Sequence, residues 1–371
     1  MPIKILHSSD VHLESKLNFL GEKAPSHRKQ LLDTFGLIVE KAISDHYDLL
    51  VIAGDLFDTP FPSAAISHQV YELLIKLRNS RIRTAIIAGN HDRMEPGSVY
   101  LGKDYLSLDT NIIHIFNERE TSWEIKELDL TVVGVSLSKQ KDVDSPLAKI
   151  SQSSHTKYSI ALLHGSLSLG EKNTNNPLDS QQLSKTKYNY IALGDWHSTK
   201  QVLTSPQTWY AGSPELINID QSGAGNALSV VIDESLTKVE PIRVGKYQAI
   251  RLEVDITGSE TIFDVITKVS QFGIKTPESV FLYLILTGIR SLRNNYTYDD
   301  IYEALSGKYY YVKVRDTSQL KLSEEELDMF PEEFLIGKFI RILQSKKGED
   351  YSQNQIVDEA IQLGVRLLKD K

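Results

Sequence analysis

The sequence has no cysteine. Disulfides and thiolate metal sites are therefore excluded, and any metal must be held by histidine, carboxylate, amide or backbone oxygen. Long hydrophobic runs are also missing. No apolar stretch approaches the roughly 20 residues that a membrane-spanning helix needs, so no membrane association is expected. The apolar part of "MPIKILHSSD" is too short for a secretion signal, and a cytoplasmic location is the default expectation. Excess positive charge is absent too. The formal net charge is −8, which argues against broad electrostatic adhesion to nucleic acid and leaves only local basic patches to provide it. Internal repeats and low-complexity segments are absent.

What is there is an ordinary globular composition, 41% hydrophobic and 24% charged over 371 residues, enough for two or three folded units. Ile3 to Ser8, "YDLLVIAGD" (47–55) and "IRTAIIAGN" (82–90) read as buried strands. Helical patterns over 27–46, with Leu31, Phe35, Ile38, Val39 and Ala42 on one face, and over 63–80 lie between them. This βαβαβ order predicts an α/β fold with parallel core strands. Further strands are expected at 111–116, 122–127, 130–136, 158–165 and 188–197, and a strand pair near 227–243 closes the region.

A boundary is placed near Val244. Residues 245–320 alternate strand, helix, strand, helix and strand as a small α+β unit, and 321–371 is helical. Two apolar stripes are expected there, Leu335, Phe339, Ile342 and Leu343, then Val357, Ile361, Val365 and Leu368. Such stripes cover either the chain's own core or a partner.

Five predicted strands end in potential ligands: "SDVH", "GDLFD", "GNHD", "HG" and "GDWH". In open α/β sheets, ligands bind outside the carboxyl ends of strands, so these ends should share one crevice. Taken singly, each is an unremarkable turn or cap. Together they would gather more charge than a core tolerates without a cation to offset it. The pattern points to a two-metal centre bridged by Asp55, with Asp10, His12 and His197 completing one ion and Asn90, His164 and Asp195 the other. Such a centre supplies an activated water and polarises a phosphate for in-line attack. His91 is left to stabilise the transition state or protonate the leaving oxygen. Asp92 is either its orienting partner or a carboxylate of the turn. Arg28, Arg93, Arg290 and Arg293 are candidate phosphate contacts or simply solvated charges. Trp196 is expected to turn away into packing.

The ordered motifs, together with "ILHSSDVHL" and "YAGSPE" (210–215), resemble the calcineurin-like metallophosphoesterase superfamily and, within it, the SbcD-type DNA repair exonucleases. The resemblance covers roughly residues 1–245. It implies a four-layer metallophosphoesterase sandwich, two β-sheets flanked by helices, as a nuclease domain over 1–244. A capping domain over 245–320 and a C-terminal helical partner-binding segment over 321–371 would follow. It also implies Mn2+, with Mg2+ the second choice, DNA as substrate, an SMC-like coiled-coil ATPase as partner, and a homodimer. Two alternatives stay open: a phosphodiesterase or phosphatase for small substrates, and a catalytically weakened scaffold.

The sequence departs from the family pattern at Asp195, where histidine is common, and at Asp58, where some members carry histidine. A carboxylate in place of an imidazole removes one positive charge from the site. It should favour Mn2+ or Mg2+ over Zn2+ and make the activated water somewhat less acidic.

Overall fold

Uninterrupted apolar runs such as LLVIA at 49–53 form strands buried on both faces, as central parallel strands require. The computed structural model describes residues 2–108, 111–151, 155–167, 175–291, 294–320, 326, 329–348 and 351–369. These divide into two units, Met1–Ala249 and Ile250–Lys371.

The first unit contains two six-stranded sheets. In one, β1 (Ile3–Ser8), β2 (Leu49–Ala53), β3 (Arg83–Ile87) and β4 (Ile113–Ile115) run parallel, and β11 (Asn226–Ile232) and β12 (Thr237–Arg243) extend it antiparallel from β1. In the other, β6 (Leu130–Gly134), β7 (Tyr158–His164), β8 (Tyr190–Gly194) and β10 (Gln207–Tyr210) are parallel, with β5 (Ser122–Ile125) and β9 (Lys200–Thr204) as antiparallel edges.

Side chains from both sheets meet in a shared core that includes Ile5, Val51, Ala53, Ile87, Val132, Leu162 and Ala192. Each large aliphatic chain buried there contributes roughly 1.5–3 kcal/mol. Helix α1 (Ala24–Ser44) buries Leu31, Phe35, Ile38, Val39 and Ala42, and packs beside α2 (Ala64–Asn79). The Ser63 hydroxyl caps α2 by accepting from the Ile66 amide at 3.4 Å. No helix of the described residues is long and apolar enough to cross a membrane.

Two local differences from the sequence reading matter. The last core strand stops at Gly194, which leaves Asp195 to His197 in the turn beyond it. The β9–β10 hairpin was not expected, because β9 is a polar, largely exposed edge without an apolar run.

In the second unit, strands Gln248–Asp255, Val280–Thr287 and Tyr311–Asp316 form a three-stranded sheet. Helices Ile262–Ser270 and Tyr298–Ser306 each open with a Thr–Asp capping box. Helices Leu335–Gln344 and Tyr351–Lys369 pair through Ile340, Val357, Ile361 and Val365, with Ile336, Phe339 and Leu343 against them. The packed stripe on the first of these helices is thus rotated from the expected one. Leu335 and Ile342 are 69% and 59% exposed, because the apolar arc of this helix is broad and only its Ile340 side packs against the next helix.

Candidate metal centre

Beyond β1 and β2 the two connecting loops continue side by side. The Asp10 amide donates to the Gly54 carbonyl, and the His12 amide to that of Asp55, both at 3.0 Å. Asp10, His12, Asp55 and Asp195 all adopt left-handed backbone, with φ of 53°, 51°, 53° and 101°. Such residues each cost roughly 1–3 kcal/mol, and they persist only where the surroundings over-determine them. Two glycines make room for the cluster. A Cβ on Gly54 would lie 2.3 Å from His164 Nδ1, and one on Gly89 2.2 Å from Asp55 Oδ1.

Asp55 sits at the middle. Its Oδ2 is 3.6 Å from His12 Nε2 and 3.3 Å from His164 Nε2. On one side, His12 Nε2 lies 3.2 Å from His197 Nε2, which is 4.0 Å from Asp10 Oδ1. On the other, His164 Nε2 lies 2.8 Å from Asn90 Oδ1 and 3.8 Å from Asp195 Oδ1. All seven expected ligands converge. Donor atoms of Asp10, His12 and His197 lie within 4.8 Å of one another, as do those of Asp10, Asp55 and His164. A third such set, His12, Asp55 and His91, was not foreseen.

The donor set fits divalent cations. Among the described residues, the ion-pair partners of Asp10, Asp55 and Asp195 are all histidines. Buried carboxylates without Lys or Arg need another source of positive charge. The 3.2 Å between the two Nε2 atoms is close to the spacing of neighbouring ligands on one ion, about 3 Å for bonds near 2.1 Å.

Electrostatics follow the same logic. Burial opposes charging of His164, but Asp55, Asp10 and Asp195 push its pKa well above the usual histidine range. Burial alone would raise Asp55, yet His164, His12 and His91 hold it well below the carboxylate range. Burial raises Asp10 and Asp195. It lowers His197 to about 4, with the neighbouring His12 adding to the effect.

A surrounding layer of hydrogen bonds aims the rings. Asp58 Oδ1 accepts from His12 Nδ1 at 2.8 Å and lies 3.4 Å from His91 Nδ1. The hydrogen bond to Asp58 pushes His91 up to about 9. Gln221 donates to His197 Nδ1 at 2.7 Å, and its orientation is fixed because Oε1 accepts from the Ile217 and Asn218 amides at 3.0 Å each. The Ser166 hydroxyl donates to Asp195, and that of Ser9 to Asp10 at 2.5 Å. Sequence reasoning missed Gln221, Ser166 and Ser9. Gln221 lies 24 positions from His197, and no spacing rule connects them.

Two expectations need correction. Asp92 does not face His91; Asp58 does. The Asp92 carboxylate points instead between the loops after β2 and β3, where it accepts from the amides of Gly89 (2.7 Å), Leu56 (2.8 Å), Asp55 and Phe57 (3.2 Å each), and from the Tyr100 hydroxyl at 2.6 Å. Trp196 is not packed away: it is 53% exposed, with Lys200 Nζ 5.4 Å from its ring centroid. Arg93 is held by Glu95 through two contacts of 2.8 and 3.2 Å and also reaches the Asn90 carbonyl at 3.4 Å. Arg28 on α1 donates to the Lys16 carbonyl at 3.0 Å. Arg290 pairs with Asp316 at 3.3 Å in the second unit, and Arg293 lies outside the described residues.

Comparison with known proteins gives the family. A profile described as calcineurin-like phosphoesterase matches residues 3–199. The chain is 26% identical over 235 residues to the "uncharacterized metallophosphoesterase YhaO" of Bacillus subtilis (strain 168), covering 60% of this chain and 55% of YhaO. It is 25% identical over 276 residues to the "DNA double-strand break repair protein Mre11" of Aeropyrum pernix, covering 71% and 66%. For the protein so named in Sulfolobus acidocaldarius the values are 22% over 340 residues, covering 88% and 85%. The chain thus spans little more than half of YhaO and just under two thirds of the Aeropyrum protein. With donors from five strand ends gathered around Asp55 and the profile matched across most of the first unit, the chain belongs to the calcineurin-like phosphoesterase family.

Proposed function

We propose that this protein is a two-metal phosphodiesterase that cleaves DNA as an SbcD-like nuclease subunit. One observation carries the reading: six donor side chains from four other strand ends surround Asp55. Relatives named as Mre11 DNA repair proteins support the choice of DNA. Asp10, His12, Asp55 and His197 would hold one cation, and Asp55, Asn90, His164 and Asp195 the other. Divalent cations held there, Mn2+ first and Mg2+ second, would supply an activated water and polarise the phosphate.

The chain's own residues do the rest. His164 is aimed by its Nδ1 donating to the Ala53 carbonyl at 2.9 Å, which makes Nε2 the nitrogen that would give up its proton to bind a cation. His12 is aimed likewise by Asp58. His91, half-buried and protonated at neutral pH through Asp58, is placed to donate a proton to the leaving oxygen or to offset charge on the phosphate. Asp92 supports this arrangement by fixing the loop at 55–57 and does not act on substrate. Arg93, next to Asn90, and Arg28 are proposed phosphate contacts, and Arg93 must exchange Glu95 for substrate to serve as one.

The proposal extends to organisation. The second unit would act as a capping domain up to residue 320. The exposed Leu335, Ile342, Ile356, Leu363 and Leu367 of the C-terminal helices would dock an SMC-like coiled-coil ATPase. A homodimer working in the cytoplasm completes the reading. The test is incubation with Mn2+ and end-labelled linear DNA beside bis-para-nitrophenyl phosphate. Metal-dependent shortening of the DNA is expected. Turnover of the small ester with intact DNA, even with a coiled-coil ATPase present, would instead support a small-substrate phosphodiesterase.

A further inference from the structure

We infer that Trp196 and Lys200 form a nucleotide platform at the edge of the metal centre: the indole stacks on a base next to the scissile phosphate, and the ammonium pairs with a backbone phosphate. The inference rests on the nucleic-acid reading above and specifies how that substrate is held.

Trp196 lies between two residues of the centre, Asp195 and His197, so its Cα is about 3.8 Å from each of theirs. It is exposed by 53%, unlike Trp123 and Trp209, which pack partly buried against the core between the sheets. A large aromatic surface left in water forgoes roughly 1.5–3 kcal/mol of burial. Lys200 Nζ stands 5.4 Å from the ring centroid, within range of a cation–π contact.

Hydrogen bonds brace the turn that carries Trp196 and leads into Lys200 at the start of β9. The Asp195 amide donates to Asp10 Oδ1 at 2.9 Å, the Ser213 amide to the His197 carbonyl at 3.0 Å, and the Thr199 amide to the Gly223 carbonyl at 3.0 Å. A Cβ on Gly212 would fall within 3 Å of the backbone at His197, Ser198 and Thr199, so the neighbouring chain braces the turn directly. An aromatic face beside a cation, pre-set on a braced turn, matches what a stacked base and its phosphate need. The stacking is tolerant of base identity, since every base has a π-face.

The test uses the full-length protein and a fluorescein-labelled single-stranded deoxyoligonucleotide, with affinity read by anisotropy in EDTA and again in Ca2+. Tryptophan emission is followed in parallel. Trp196→Ala should weaken binding about tenfold and Trp196→Phe by no more than about threefold. The oligonucleotide should quench wild-type emission and leave the emission of Trp196→Phe unchanged. An abasic oligonucleotide of equal length should bind wild type and Trp196→Ala alike. Lys200→Gln should lower the salt dependence by about one phosphate contact. Mn2+-dependent DNA cleavage by a wild type whose affinity Trp196→Ala leaves unaltered would overturn this platform and leave the nuclease reading standing. Absence of both binding and cleavage in the wild type would overturn both.

Discussion

His164 on β7 donates its Nδ1 proton to the carbonyl of Ala53 on β2, across the core that separates the two sheets, at 2.9 Å. A carbonyl only accepts, so this bond keeps a proton on Nδ1 and turns Nε2 toward Asp55 and Asn90, where the metal-free ring is held protonated and a cation would take the place of the Nε2 proton. Closure of the two sheets thereby sets the state of a proposed ligand.

His164→Ala removes that ligand without touching the Asp10, His12 and His197 set. Calorimetric titration with Mn2+ should fall from two sites to one, and phosphodiesterase activity should drop at least roughly 100-fold. Two intact sites in the variant would count against His164 as a ligand.

Asp195 tests how the unusual carboxylate tunes the centre. Asp195→Asn tolerates the left-handed φ of 101° better than alanine would, so metal effects are not confused with backbone strain. The Mn2+ concentration for half-maximal activity should rise roughly 10- to 100-fold. Asp195→His should shift the preference toward Zn2+. Unchanged metal dependence in both variants would show that Asp195 does not bind metal.

Asp58 couples charge to stability in the metal-free protein. His91, held at about 9, lies above the ordinary value near 6.5. Its contribution is complete below pH ~6.5 and is lost as pH rises through about 9. Asp58, which burial would raise, is held at about 2 by His12 and His91. Its contribution is present above pH ~3.9 and is lost as pH falls through about 2. Urea midpoints in EDTA should therefore decline between pH 6.5 and 9.5, and Asp58→Asn should flatten that decline. An equal decline in both proteins would remove Asp58 as its cause.

Asp92 is expected to behave as a structural clamp. Asp92→Ala would leave four backbone amides and the Tyr100 hydroxyl without their acceptor. A loss of roughly 3–5 kcal/mol is expected in denaturant unfolding. Tyr100→Phe, which removes one of the five bonds, should cost only about 1 kcal/mol. Burial raises the Asp92 carboxyl to about 6, above its unfolded value, so its charged form is stabilised less than burial costs. Loss of activity in Asp92→Ala with unchanged stability would restore Asp92 to a catalytic role.

The sequence by itself determined the donor types and their attachment to strand ends. Apolar runs into Asp55, Asn90, His164 and Asp195 specify buried parallel strands, and the polar residues at their carboxyl ends have only a crevice to occupy. The βαβ order of the first unit follows from the same runs. Only the tertiary structure decided which groups meet. The Asp195 amide reaches Asp10 across 185 positions, Gln221 turns to His197, and Asp58 rather than Asp92 faces His91. These pairings depend on left-handed turns at Asp10, His12, Asp55 and Asp195 and on two sheets closing face to face. The exposure of Trp196 depends on the same closure, since the strand ends at Gly194 and the braced turn sends the indole outward. Local periodicity encodes neither the handedness of a single turn nor the register between two sheets.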